Sequence, residues 1–225
     1  RVFTGRSAAS YAALVSAMLL PVYVTAYIFG QLPFLASTLI ALFAAASFNR
    51  YLREGDLHSL LLSVMLIATS MAMHHATLIV QPFYIVAVAI NNLVLLKNEH
   101  SFQTLILILK RLSVFGVLAI LMALIVIWPF WQWGRDQLIQ TPIDHLSRHN
   151  FFRDPRGFAV FFFPLYGPLV CMIPLLVRKW SPRLAGLLIS FVFLFLLGLG
   201  GTTPLPRLLF GDAWEWLTFD RFAFW

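Results

Sequence analysis

Charge is scarce in this sequence: only 11% of its 225 residues are Asp, Glu, Lys or Arg, against 60% hydrophobic. A soluble domain carries about a quarter charged residues, and here the apolar residues fall in long blocks. That excludes an ordinary soluble core, because a helix apolar all round needs lipid or a very large protein to bury it. Alternating segments of about 10 residues with regular turns are absent, which excludes a transmembrane barrel. Cys171 is the single cysteine, so no intrachain disulfide exists and the redox compartment is left open. There is no P-loop, dinucleotide fingerprint, nucleophile elbow or zinc pattern. Ionisable groups inside the apolar blocks are nearly lacking, which argues against a proton- or ion-coupled transporter.

What is present is a polytopic, all-α transmembrane helical bundle. Blocks near the ~20 residues needed to cross a bilayer lie at about 8–29, 32–48, 57–73, 77–96, 112–131, 158–177 and 184–200. They make residues 1–225 one transmembrane domain of about seven spans. A start at Arg1 without methionine and a stop at Trp225 read as a piece of a longer chain.

Charge tests the list, since cytoplasmic loops carry the excess of Lys and Arg. Alternate sides place Arg1, Arg6, Arg50, Arg53, Lys97, Lys110, Arg111, Arg178, Lys179 and Arg183 together, against Glu54, Asp56 and Glu99 alone. The other side balances Arg135, Arg148, Arg153, Arg156, Arg207 and Arg221 with Asp136, Asp144, Asp154, Asp212, Glu215 and Asp220. The whole net charge of +7 therefore falls on one face, the expected cytoplasmic one. A basic chain of this kind meets an anionic inner leaflet rather than nucleic acid.

The cytoplasmic connections are short, basic anchors. The outer ones are richer: Gly30-Gln31-Leu32-Pro33, the pair His74-His75, a loop at 132–157 and a segment at 201–225. Six of seven tryptophans (128, 131, 133, 214, 216 and 225) also lie outside. Aromatics favour the headgroup level; mixed with charges over two long segments, they predict interfacial helices that roof a cavity between the spans. In Gly200-Gly201-Thr202-Thr203-Pro204-Leu205-Pro206 the glycines and prolines end the last helix abruptly, and Pro142 interrupts the preceding loop.

Individual residues carry alternatives. His74 and His75 point about 100° apart if helical, so a shared metal is disfavoured; a polar helix cap competes with hydrogen-bonding or cationic contact to a phosphate or sugar. Gln31 is part of a tight turn or presents its amide to the outer cavity. Asp136 and Asp144 read as exposed ion-paired groups. Asp220-Arg221 sits inside Trp214-Glu215-Trp216-Leu217-Thr218-Phe219-Asp220-Arg221-Phe222-Ala223-Phe224-Trp225, where a charge pair is expensive unless engaged, and Arg suits bidentate capture of phosphate.

The ordered series Gly5-Arg6, Gly30-Gln31-Leu32-Pro33, His74-His75-Ala76-Thr77, Gly200-Gly201-Thr202-Thr203-Pro204-Leu205-Pro206 and Leu217-Thr218-Phe219-Asp220-Arg221-Phe222 resembles the large bacterial integral membrane proteins of the 6-pyruvoyl-tetrahydropterin-synthase-related group. These in turn resemble the GT-C superfamily of polyprenyl-phosphate-sugar-dependent glycosyltransferases. The pterin label implies nothing that these residues support. The resemblance implies a multi-span enzyme in the bacterial inner (plasma) membrane. It would move a sugar from a polyprenyl-phosphate donor to a glycan, lipid or protein acceptor on the extracytoplasmic face. It also implies an acidic residue in a first outer loop, expected upstream of Arg1, so the catalytic base is unassigned here. Arg221, His74 and His75 would meet the leaving phosphate, with Gln31, Asp220, Trp214 and Trp216 as further substrate-binding residues and the two tryptophans stacking on sugar or prenyl chain. No cofactor is assigned, and a divalent metal stays open. The rival classes are a non-catalytic subunit packed with partner membrane subunits and a lipid or polysaccharide transporter.

Overall fold

The computed structural model describes residues 3, 5–96, 102–136, 144–171, 173–178 and 180–225. The expected anchors at 97–101, including Lys97 and Glu99, and Pro142 within 137–143 lie outside the described residues, as do Arg1 and Lys179.

All regular structure among the described residues is helical. The chain opens with α1 (Arg6–Ala17), then α2 (Leu20–Tyr23), which continues as a π-helical turn, Val24–Ile28. The two halves meet at a 44° bend, at Leu19-Leu20-Pro21, where the proline removes a backbone donor. Next come α3 (Leu32–Glu54), α4 (Leu57–Met73), α5 (Thr77–Leu96) and α6 (Phe102–Asp136). Of these, α3, α5 and α6 are long and apolar enough to cross a membrane, and the bent pair makes a fourth candidate. At 17 residues α4 is shorter, about 26 Å at 1.5 Å per residue.

The expected span 158–177 is not one continuous helix. A turn α7 (Pro155–Gly157) leads into a π-helical stretch, Phe158–Phe162, then α8 (Phe163–Val170) and α9 (Ile173–Arg178). Pro164 and Pro168 lie inside the 158–170 stretch, where each lacks the N–H of a helical hydrogen bond, and Pro174 sits in the first turn of α9, where a proline is tolerated. The last apolar block is α10 (Ala185–Gly198), 14 residues long. It is followed by α11 (Leu205–Phe210), a 3₁₀ stretch Gly211–Trp216 and α12 (Asp220–Phe224).

Contacts between three pairs of helices fix direction and register. Thr77 donates to the Ser37 hydroxyl at 2.9 Å and Asn92 to the Asn49 amide oxygen at 2.9 Å, so α5 runs parallel to α3. The Ser190 hydroxyl donates to the Phe83 carbonyl at 2.7 Å while Gly186 abuts Ala87, so α10 runs antiparallel to α5. Between α4 and α5 the Ser70 hydroxyl donates to the Gln81 side-chain oxygen at 2.9 Å. Hydroxyl and amide pairs of this kind lock helices together where hydrocarbon surrounds them.

The core is apolar and aromatic. Phe48, Leu52, Val64, Ile67 and Phe115 bury one side of α3, α4 and α6, with the Phe48 and Phe115 rings tilted against each other, centroids 4.1 Å apart. Val80, Leu194, Leu197, Phe219 and Phe222 join α5, α10 and the C-terminal segment. The outward faces carry Leu39, Phe43, Leu61, Met65, Val117, Ile120 and Ile125, all exposed, an apolar surface larger than a soluble monomer normally shows.

The helix ends sort into two sets. At one, Gly55 turns α3 into α4 with a left-handed φ of 76°, and Asp56 caps α4 by accepting from the Ser59 amide at 2.8 Å. Arg111 of α6 lies across this turn and donates to the carbonyls of Leu52 (2.6 Å) and Arg53 (3.0 Å), a cation against a helix C-terminus. At the other end lie the start of α3, the α4–α5 turn, the end of α6 and the end of α10. The expected cytoplasmic and outer ends thus separate spatially, and described basic residues Arg50, Arg53 and Arg111 gather at the first.

A Cβ on Gly186 would sit 2.4 Å from the Ala87 carbonyl oxygen and 3.0 Å from its Cα, both backbone atoms that cannot swing aside. Gly186→Val should therefore pry α10 from α5 and cost about 1–3 kcal/mol, read as a lowered unfolding midpoint in detergent, whereas Gly116→Val, with open space around it, should leave the midpoint unchanged.

Candidate functional site

The α4–α5 connection is three residues, His74-His75-Ala76, with Ser70 accepting the His74 amide proton at 3.1 Å. His74 leaves the helix in an extended conformation (φ −158°, ψ 111°), so the two imidazoles diverge. His74 turns inward and tilts against the buried Phe34 ring at 5.1 Å. His75 is exposed and stacks on Phe130 of α6 at 4.5 Å.

Between this turn, the end of α6 and the C-terminal segment lies a cavity of about 730 Å³, within the range of small-molecule sites. The turn contributes His74 and His75; α6 contributes Ile127, Phe130 and Trp131; the C-terminal segment contributes Trp216, Leu217 and Arg221. Four of the seven residues expected to bind substrate thus share one cavity: His74, His75, Trp216 and Arg221. The other three do not line it among the described residues. Gln31 is half-buried at the N-terminus of α3, its backbone N–H donating to the Thr25 carbonyl. Trp214 packs on Phe219 at 4.5 Å. Asp220 is 5% exposed behind the wall.

The electrostatics are set by desolvation. Burial, with help from the Arg221 and His75 charges, pushes the His74 imidazole down to about 4, so it is neutral at neutral pH and offers a donor or acceptor rather than a fixed cation. Burial also lowers the Arg221 guanidinium, and the nearby Asp220 carboxylate opposes that shift; an arginine keeps its charge through such a change. The His74 Nδ1 and Arg221 Nε atoms are buried with no hydrogen-bond partner among the described residues. Each such group costs about 1–3 kcal/mol, a cost that an anion accepting from both would offset. One fixed cation, one neutral imidazole, one exposed imidazole and two tryptophan faces make a site for an anionic head attached to an apolar or ring-bearing body.

The part of the long outer loop described from Asp144 onward does not line this cavity. It braces the segment that does. Ser147 is fully buried, and its hydroxyl accepts from the Phe219 amide at 2.9 Å while lying 2.8 Å from His145 Nδ1. The Phe151 amide donates to the Thr202 hydroxyl at 3.0 Å, and Arg148 donates to the Glu215 carbonyl. Gly200 and Gly201 permit this docking: a Cβ on either would fall 1.8 Å from the carbonyl oxygen of Ser147 or Arg148. Besides ending a helix, the two glycines make room for a neighbouring backbone.

His149 bridges Asp144 and Asp154 at 2.9 Å each, and Arg156 binds Asp154 at 2.7 Å. Asp144 is exposed and bonded to His149, an ion pair whenever that imidazole is protonated, and the side chain of Asp136 lies outside the described residues. Among the described residues no group of three or more His, Cys, Asp or Glu is arranged to hold a metal ion. Reading the sequence did not single out Phe130 and Trp131 as cavity residues; as interfacial aromatics at a helix end, they gave no signal distinct from anchoring.

Compared with protein-family models, curated proteins and solved structures, the chain matches none.

Gly201→Ala should undock the 145–151 loop with little backbone strain, and Gly200→Ala, whose φ is +53°, should do so with strain added. Both should speed tryptic cleavage at Arg148 and Arg153 in detergent, and Gly200→Ala should lower stability by about 1–3 kcal/mol; cleavage at the wild-type rate in both would contradict the close-approach role.

Proposed function

We propose that the chain forms the membrane domain of a GT-C-like glycosyltransferase that takes a sugar from a polyprenyl-phosphate donor and passes it to an acceptor on the extracytoplasmic face. The observation that carries this reading is the convergence of Arg221, His74, His75 and Trp216 on one cavity at one end of the bundle. A lipid-linked donor keeps its tail in hydrocarbon while its phosphate and sugar meet an aqueous acceptor, so its site belongs at a helix-end boundary of this kind. The reading takes all seven apolar blocks as crossing or re-entering the bilayer, with α4 and α10 as short spans and 158–177 as a broken one.

In the reaction, the bond between the sugar's anomeric carbon and the phosphate oxygen breaks and its electron pair stays on the phosphate. The acceptor oxygen bonds to that carbon and gives up its proton. Charge on the departing phosphate is met by Arg221, and the neutral His74 donates a hydrogen bond; donors already positioned where charge grows contribute most. Trp216 and Trp131, both exposed into the cavity region, offer flat apolar faces to the sugar ring or the first isoprene units. Among the described residues no carboxylate lines the cavity, and the role assigned to Arg221 and His74 is leaving-group stabilisation.

A non-catalytic subunit is the second reading, favoured by α1, which buries none of its residues and so presents a whole helix for a neighbour.

Farnesyl phosphate titrated into the protein in nanodiscs separates the two. Arg221→Ala should weaken its binding at least about thirtyfold, the 2 kcal/mol lower bound for stripping one partner from a desolvated charge pair, with helicity and elution volume unchanged. Arg221→Lys should recover part of it. Equal affinity in wild type and Arg221→Ala would overturn the phosphate role.

A further inference from the structure

The bridge at His149 has a protonation requirement that geometry alone imposes. Nδ1 lies 2.9 Å from Asp154 Oδ2 and Nε2 lies 2.9 Å from Asp144 Oδ1. Ionised carboxylates only accept hydrogen bonds, and a neutral imidazole has one N–H and one bare nitrogen. A neutral His149 would therefore set a lone pair against a carboxylate; the imidazolium alone makes both bonds.

The two arms differ. Asp154 is 17% exposed, accepts from the Arg156 side chain at 2.7 and 2.8 Å, and also caps the Arg156 backbone. It stays in place whatever His149 does. Asp144 is 84% exposed and held by His149. It starts the strand of chain whose next residues are His145, Ser147 and Arg148, the groups that meet Phe219 and Glu215.

We propose that the Asp144–His149–Asp154 bridge is a pH-operated clasp: with His149 protonated it closes the 144–154 loop and holds it on the segment bearing Trp216 and Arg221, and on deprotonation the Asp144 arm lets go. This holds whether or not the cavity binds a lipid phosphate.

The surroundings agree. Hydrogen bonds donated to Asp154 and then to Asp144 raise the His149 imidazole above its ordinary 6.5, and the His149 bond pulls the Asp144 carboxyl down. The Gly200–Thr202 stretch packed on the loop brings no ionisable group. α7 brings Arg156, already on Asp154. The 3₁₀ stretch brings Glu215, met through its carbonyl, and α12 brings Asp220 and Arg221, which with Arg148 act on His145 and not on His149. Burial lowers the His145 imidazole, so His145 does not share the His149 transition. The sign follows: a histidine whose folded pKa is raised contributes fully below the unfolded value, and that contribution is lost as pH rises above 6.5 and through the raised value.

Phe152, 90% exposed at the loop tip, takes a reporter without disturbing packing. A nitroxide on Phe152→Cys, in a Cys171→Ala background in nanodiscs, should be immobile at about pH 5.5 and gain a mobile component as pH rises to about 9. His149→Ala should be mobile and flat across the range. Asp144→Asn should be immobile and flat, because its amide can turn to donate to a bare nitrogen or accept from a protonated one. A wild-type label indifferent to pH, or a response that survives in His149→Ala, would overturn the clasp; should His149→Ala fail to fold, a pH response persisting in Asp144→Asn would overturn it equally.

Discussion

The constraint on which this molecule depends is that polar groups buried among apolar helices need partners. Along the shafts the solution is pairing between helices: Thr77 with Ser37, Asn92 with Asn49, Ser70 with Gln81, Ser190 with the Phe83 carbonyl. Each pair is modest in energy, on the order of 1 kcal/mol, but together they fix which helix faces which and at what height. Charges are displaced to the helix ends, where they serve different purposes. Arg111 closes one end by capping the turn at Gly55, and Arg221 faces a cavity at the other.

That cavity depends on elements distant in the chain. The α4–α5 turn supplies the imidazoles, α6 an aromatic wall and residues 216–221 the cation and a tryptophan. The last of these is a short, irregular stretch with no long helix to stiffen it. Its position is set by Phe219 and Phe222, buried against Val80, Leu194 and Leu197, and by the outer loop, whose Ser147 and Arg148 bond to it from the far side. The glycine pair at the end of α10 allows that loop to approach at backbone distance. Packing, loop docking and the orientation of Arg221 are therefore one coupled arrangement.

Much of this was legible in the sequence. Block length gave the helices α3 to α6 and α10, because apolar runs bounded by Gly55-Asp56 or His74-His75 leave few other folds. Charge counting grouped Arg50, Arg53 and Arg111 apart from His74 and Arg221, and the structure places those three around the Gly55 turn. Composition did not reveal the interruption of 158–177: its hydropathy is that of a span, and only Pro164, Pro168 and Pro174 hint at broken hydrogen bonding. Nor did the Gly200-Gly201 pair declare its second role, because a helix stop and a close approach demand the same residue. Gln31 was grouped with the cavity because it shares its end of the bundle, but a shared end fixes height and leaves lateral position free. For the same reason α6 contributed Phe130 and Trp131 unannounced. Lateral position comes from interhelical packing, which a single sequence does not encode in any short pattern.

The central claim is that the histidine turn and the Arg221 segment share one water boundary, opposite the boundary at Gly55 and Arg53. Single cysteines at 75, 221 and 53 in a Cys171→Ala background, exposed to a membrane-impermeant maleimide on intact cells, measure this most directly. The account predicts labelling at 75 and 221 and protection at 53 until the membrane is permeabilised. Labelling of 53 together with 75, or of 75 without 221, would contradict it.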